Sequence, residues 1–123
     1  MEQTIKYPWM REQLIGSIET LSDIDYQRKA WVQHEFPEGV EWDDLDLHFK
    51  FLFDGPDIYD YLDESIGDIL KNETELKAVK EMLNEMMNIF KEYGTELTDE
   101  EYINLPEWQE VIEKAKIVKE IVK

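Results

Sequence analysis

The 123-residue sequence predicts a mainly α-helical, single-domain bundle of about five helices spanning 1–123. Three observations predict it. Leu76, Val79, Leu83, Met86, Phe90 and Tyr93 step by three and four, an a/d heptad seam. Helix-capping patterns occur at Ser22-Asp23-Ile24-Asp25, Asn72-Glu73-Thr74-Glu75 and Thr98-Asp99-Glu100-Glu101. No two alternating segments of comparable quality exist to pair as strands, and a lone strand leaves its backbone polar groups unmet. The 42% hydrophobic and 12% aromatic content suffices for a core and sets the chain apart from charged disorder.

Taken in order, Pro8 marks a first helical turn, and Met10, Leu14, Ile18 and Leu21 form one apolar stripe, so a helix covers 8–21. Gly16 weakens it or permits close approach. The Ser22 capping pattern opens a second helix from Ile24 to near Glu35, with Ile24, Gln27, Arg28 and Trp31 on one face and Tyr26 and Ala30 on another. Phe36-Pro37-Glu38-Gly39 ends it. Residues 45–53 fit two patterns. Leu45, Leu47, Phe49, Phe51 and Phe53 alternate as in a strand, whereas Leu45, Phe49, Leu52 and Phe53 make a helix face with Asp43 or Asp44 as N-cap. The missing partner strand favours helix. Asp54-Gly55-Pro56-Asp57 signals a turn, and 58–70 reads as a loop with one or two short helical turns. The heptad helix runs from Asn72 to a stop at Gly94. A short helix reaches about Ile103. The last presents Trp108, Val111, Ile112, Ala115, Val118 and Val122 to the core, with lysines toward its C-terminus.

The formal charge is −17. Between Glu35 and Asp68 twelve acids face Lys50 alone, so this segment carries −11 of it, with Trp42, Tyr59 and Tyr61 interleaved. Such a charge repels nucleic acid and anionic membranes and attracts basic partners. Acids supply steering, and Trp and Tyr supply anchoring area. The candidate partner-binding residues are therefore Trp42, Asp43, Asp44, Asp57, Tyr59, Asp60, Tyr61, Asp63 and Glu64. Against this stands the plainer expectation that the acids serve solubility and that Trp42 and Phe49 are core residues.

No catalytic, metal or cofactor site is expected. Cysteine is absent, and His34 and His48 form no metal-ligand pair. Asp54 to Asp63 lacks the turn glycine and ligand spacing of a calcium loop. Ser17, Ser22 and Ser65 lie in no nucleophile elbow, and no glycine-rich phosphate loop occurs. No apolar run approaches the roughly 18 residues of a membrane span, and charges at Glu2, Lys6, Arg11 and Glu12 interrupt any signal-peptide core, so a cytoplasmic protein is expected.

Tyr7-Pro8-x-Met10-Arg11, Asp25-Tyr26-Gln27-x-x-x-Trp31, Phe51-Leu52-Phe53-Asp54, Ile66-Gly67-x-Ile69-Leu70 and Tyr102-x-x-x-Pro106-x-Trp108 occur in this order over most of the chain. The set resembles a little-studied family of small acidic bacterial proteins from actinobacteria and bacilli. These motifs imply a shared fold rather than a reaction. Members often carry a second acid after the Phe-Asp pair, where Gly55 stands here. Proteins of this kind also look like immunity proteins of bacterial toxin systems. The resemblance thus implies a non-enzymatic immunity or antitoxin-type protein that occludes a basic partner through its acidic middle segment. The alternative is a small cytoplasmic interaction or regulatory protein, homodimeric through the Leu76–Tyr93 seam.

Overall fold

In a computed structural model the structure describes residues 5–54 and 58–122. Pro8 occupies the first turn of α1 (Pro8–Leu21), where its missing N–H costs nothing. Ser22 closes α1 by donating to Glu19 O at 2.7 Å, and Asp23 caps the next helix by accepting from Tyr26 N at 3.1 Å. The predicted Ser22 capping box is therefore corrected: Ser22 serves the end of α1, and Asp23 rather than Ser22 is the N-cap of the next helix. α2 (Ile24–Tyr26) passes directly into a π-helical segment, Gln27–Val32. The wider π turn brings Gln27, Ala30 and Trp31 inward together and leaves Arg28 exposed, unlike the single face expected. This segment also ends earlier than Phe36. His34 takes a left-handed φ of 58°, and the Glu35 amide reaches back to Lys29 O at 2.8 Å.

Residues 45–53 are helical. Asp44 caps α3 (Leu45–Phe49) by accepting from Leu47 N at 2.9 Å, and a second π segment, Lys50–Asp54, continues it. Among the described residues there is no strand, only an isolated bridge between Ile66 and Leu70. The Gly55-Pro56-Asp57 part of the expected turn lies outside the described residues. α4 (Ile58–Tyr61) and a 3₁₀ turn, Leu62–Glu64, fill the expected loop.

α5 (Glu73–Tyr93) is the central helix. Asn72 caps it, and Gly94, at φ 82°, ends it. Only half of the Asn72 capping box forms, because Glu75 is turned inward. Its carboxylate receives both Arg11 guanidinium nitrogens at 2.8 and 2.9 Å and the Lys71 amide at 2.7 Å. Burial opposes ionisation of Glu75, but Arg11 and the Lys71 amide outweigh it and hold its carboxyl below the ordinary value. Thr98 and Glu101 complete the predicted capping box of α6 (Asp99–Ile103). α7 (Trp108–Ile121) packs most extensively on α5 and next on α1. Val79, Met82, Leu83 and Met86 on α5 meet Trp108, Val111, Ile112, Ala115 and Val118 on α7 in one continuous core. Val79, Leu83, Met86 and Phe90 of the heptad seam are thus buried within the chain, whereas Leu76 is partly buried and Tyr93 exposed at its ends.

Gln27 is the polar hub of that core. Its amide nitrogen donates to Thr20 O and Leu21 O, and its oxygen accepts from the Trp108 indole at 2.8 Å. Three partners at three sequence distances make a fully satisfied, fold-specifying tie.

Candidate functional site

The structure divides the sequence-predicted binding residues into three groups. Asp43 is the first. It is only 8% exposed and accepts from the Tyr26 hydroxyl (2.8 Å), the Trp31 indole (3.0 Å) and His48 Nε2 (2.9 Å). Burial raises its pKa, but the His48 hydrogen bond and charge, with the Trp31 and Tyr26 bonds, hold the carboxyl below its ordinary value. Burial and that same carboxylate push the Tyr26 phenol up to about 12. A carboxylate can only accept, so His48 carries its proton on Nε2 when neutral, and Nδ1 then accepts from the Ser17 hydroxyl at 2.9 Å. Ser17, His48 and Asp43 follow the order of a hydrolytic relay. However, Ser17 lies in mid-helix at 5% exposure, where neighbouring amides are engaged by the helix itself and offer no oxyanion hole.

The second group lies along α4 and its 3₁₀ extension, against α5. Tyr59 packs on Phe53 and donates to Asn84 Oδ1 at 2.7 Å. Tyr61 donates to Asp68. Asp63 pairs with Lys80 at 2.8 Å. Asp60 and Glu64 are exposed. Both tyrosines, expected as exposed anchors, are half-buried with their hydroxyls bonded inside the protein. Asp57 lies outside the described residues.

Trp42 and Asp44 form the third group. Trp42 is 54% exposed, contrary to the plainer expectation of a core residue, and it is held in place. Its ring stacks on His34 at 4.9 Å and leans on Phe36 at 5.4 Å, while its indole N–H donates to Asp44 at 2.8 Å. A shallow groove of about 390 Å³ runs beside it, walled by Asp44, Asp99 and Glu100 with Trp31 and Val32 below. Glu35, Glu38 and Glu41 stand exposed on the adjoining loop. Arg28 is the basic neighbour, across Glu100 in a second hollow.

Asp99 joins this groove to a smaller, more enclosed cavity of about 150 Å³, lined by Leu45, Phe49, Phe90, Leu97, Asp99 and Tyr102 with Asp46 and Thr95 at its edge. Phe49 and Tyr102 each meet Phe90 edge-on, at 5.0 and 5.6 Å. Asp99 Oδ2 accepts from Leu45 N at 3.1 Å. Burial pushes the Asp99 carboxyl above its ordinary value; the Leu45 amide resists, and the charges of Asp44, Asp46 and Asp43 add to the rise. Among the described residues no cation pairs with it.

Sequence inspection missed Asp99, Glu100, Phe90, Tyr102, His34 and Phe36 as parts of this surface. Asp99 and Glu100 looked like first-turn acids of a capping pattern, and Phe90 like a seam residue. Nothing in their local patterns brings α6 to the mouth of α3. The middle segment's excess of acid was the one available signal, and it pointed to one side of the groove.

No curated protein and no solved structure matches the chain. The profile of a domain of unknown function, DUF7945, matches residues 5–123. With nearly its whole length inside that profile, the chain belongs to the DUF7945 family.

Proposed function

We propose that this is a non-enzymatic binding protein of the immunity or antitoxin type, and that it occludes a basic protein partner through the acidic, aromatic face around Trp42. The carrying observation is the state of Trp42. A tryptophan at 54% exposure is ordinarily a poor use of apolar area, and this one is fixed by a stack on His34 and a hydrogen bond to Asp44. A rigid aromatic loses little entropy on binding and suits a hot spot. The carboxylates of Asp44, Asp99 and Glu100 beside it, with Glu35, Glu38 and Glu41 beyond, match a basic counter-surface and disfavour nucleic acid. Ser17, His48 and Asp43 tie α1 to α3 and hold this face from behind. The partner is met in the cytoplasm.

The test starts with the full chain immobilised in extract from the cells that make it, with the Trp42→Ala form in parallel. A basic protein retained by the first and released at least tenfold faster from the second is expected. The purified partner should lose its own activity when bound. An acidic or neutral partner, or one whose affinity ignores both Trp42→Ala and Asp44→Asn, overturns the proposal.

A further inference from the structure

We propose that the cavity between α3, the end of α5 and α6 is a receptor for one lysine side chain of the partner, with the ammonium on Asp99 and the stem against Phe49, Phe90 and Tyr102. This rests on the partner being basic, as proposed above.

Size, lining and charge agree. A void of about 150 Å³ holds a group about as large as benzene. That admits the four-carbon stem of lysine and its ammonium. Three aromatic rings favour apolar methylenes and attract a cation through their quadrupoles. Asp99 supplies the fixed counter-charge at the wall. It is partly withdrawn from water and repelled by Asp44, Asp46 and Asp43, which together hold its carboxyl above the ordinary value. Lys50 already pairs with Asp46 at 3.0 Å, so Asp99 is the carboxylate of the pair that lacks a cation among the described residues. A carboxylate held in this state gains most from an arriving cation.

The geometry favours an ammonium over a guanidinium. Asp99 Oδ2 is engaged by the Leu45 amide, and among the described residues Oδ1 carries no further hydrogen bond. A guanidinium binds best through a fork that uses both oxygens, whereas an ammonium is a point donor. The Tyr102 hydroxyl donates to Gly94 O at 2.6 Å, so its ring is anchored. The cavity adjoins the Trp42 groove through Asp99. A partner anchored on Trp42 can therefore place a neighbouring lysine here with no rearrangement.

The experiment is an NMR titration of the isotopically labelled full chain at constant ionic strength with three probes: n-butylammonium chloride, n-butanol, and the peptide acetyl-Gly-Lys-Gly-amide. Butylammonium and the peptide should give saturable shifts at Phe49, Phe90, Asp99 and Tyr102, and n-butanol much weaker ones. Asp99→Asn keeps an acceptor for the Leu45 amide and should weaken butylammonium about tenfold. Phe49→Leu, a second variant that keeps apolar bulk, should weaken it severalfold. Absence of saturable shifts, equal binding of n-butanol, or indifference to both substitutions overturns the proposal. Entry of butylammonium but not of the peptide also overturns it, in favour of a free small amine. The amine probes titrate the cavity in the absence of any partner. A failure of the Trp42 face thus shows only with the partner, and a failure of the cavity shows only with the amine.

Discussion

Asp99 carries a conflict that can be measured. Its carboxylate is partly buried among three others and answered by one backbone amide. Asp99→Asn removes the repulsion and keeps the acceptor, so the variant should melt a few degrees higher at neutral pH while losing affinity for cations. A melting temperature at or below that of the parent would contradict the electrostatic account. Arg11 and Glu75 show the opposite case. Their paired hydrogen bonds, with Arg11 also donating to Ile69 O at 2.9 Å, join α1 to α5 in a buried site. Arg11→Ala strands the Glu75 carboxylate and should cost about 3–5 kcal/mol in denaturant unfolding. A double replacement of both residues by apolar side chains should cost much less.

These groups also set the acid limit. Folding holds Asp43 and Glu75 below their ordinary values of 3.8 and 4.5, so the stability they contribute is complete above those values and is lost as pH falls through the folded ones. Asp99 runs the other way. Its folded value lies above 3.8, so the native state takes up that proton first, and its repulsion is relieved as pH falls toward 3.8. Stability measured from neutral to acid should therefore rise slightly and then drop. In Asp99→Asn only the drop should remain.

At the scale of elements, α5 and α7 are the frame on which α1, α6 and the Leu62–Glu64 turn pack. Leu83 is fully buried between them. Leu83→Ala should cost about 2–5 kcal/mol, and Leu83→Asp should abolish the cooperative melt, since no partner exists there for a charge. A Leu83→Asp protein that still melts near the parent temperature would refute this packing. The two π segments do a different job. Each follows a short α-helix and shifts its side-chain register. This turns Trp31 onto Trp108 in one case, and in the other lets Phe49 and Phe53 both lean on Phe90. A wheel drawn on a 3.6-residue period places Trp31, Phe49 and Phe53 toward the core, as found, but turns Arg28 inward and sets Ala30 and Phe51 aside, whereas Arg28 is exposed and Ala30 and Phe51 are buried.

For the whole molecule, −17 charges in one small domain oppose compaction and favour encounter with cations. Moderate salt should raise the melting temperature by screening this self-repulsion over a Debye length of about 8–10 Å. The same salt should slow association with a basic partner. If the melting temperature ignored salt while association fell steeply, the charge would be concentrated at the binding face alone.

The helices of this bundle were legible because their signals are local. Pro8, Asp44, Asn72, Thr98 and Gly94 act within a few residues of themselves, and the heptad seam repeats every turn of one element. The tertiary structure alone decided which of the many acids matter. Asp43, Asp44 and Asp46 are near neighbours with nearly identical prospects in the sequence. One is buried against His48, one caps a helix and holds an indole, and one pairs with a lysine on the surface. Asp99 reaches their company from over 50 positions away because α6 packs on the π segment of Gln27–Val32. The reason is physical. Hydrophobic periodicity and capping depend on spacing along the chain, whereas the environment of a carboxylate depends on dielectric and on charges brought close from distant positions. Only the packed fold sets those.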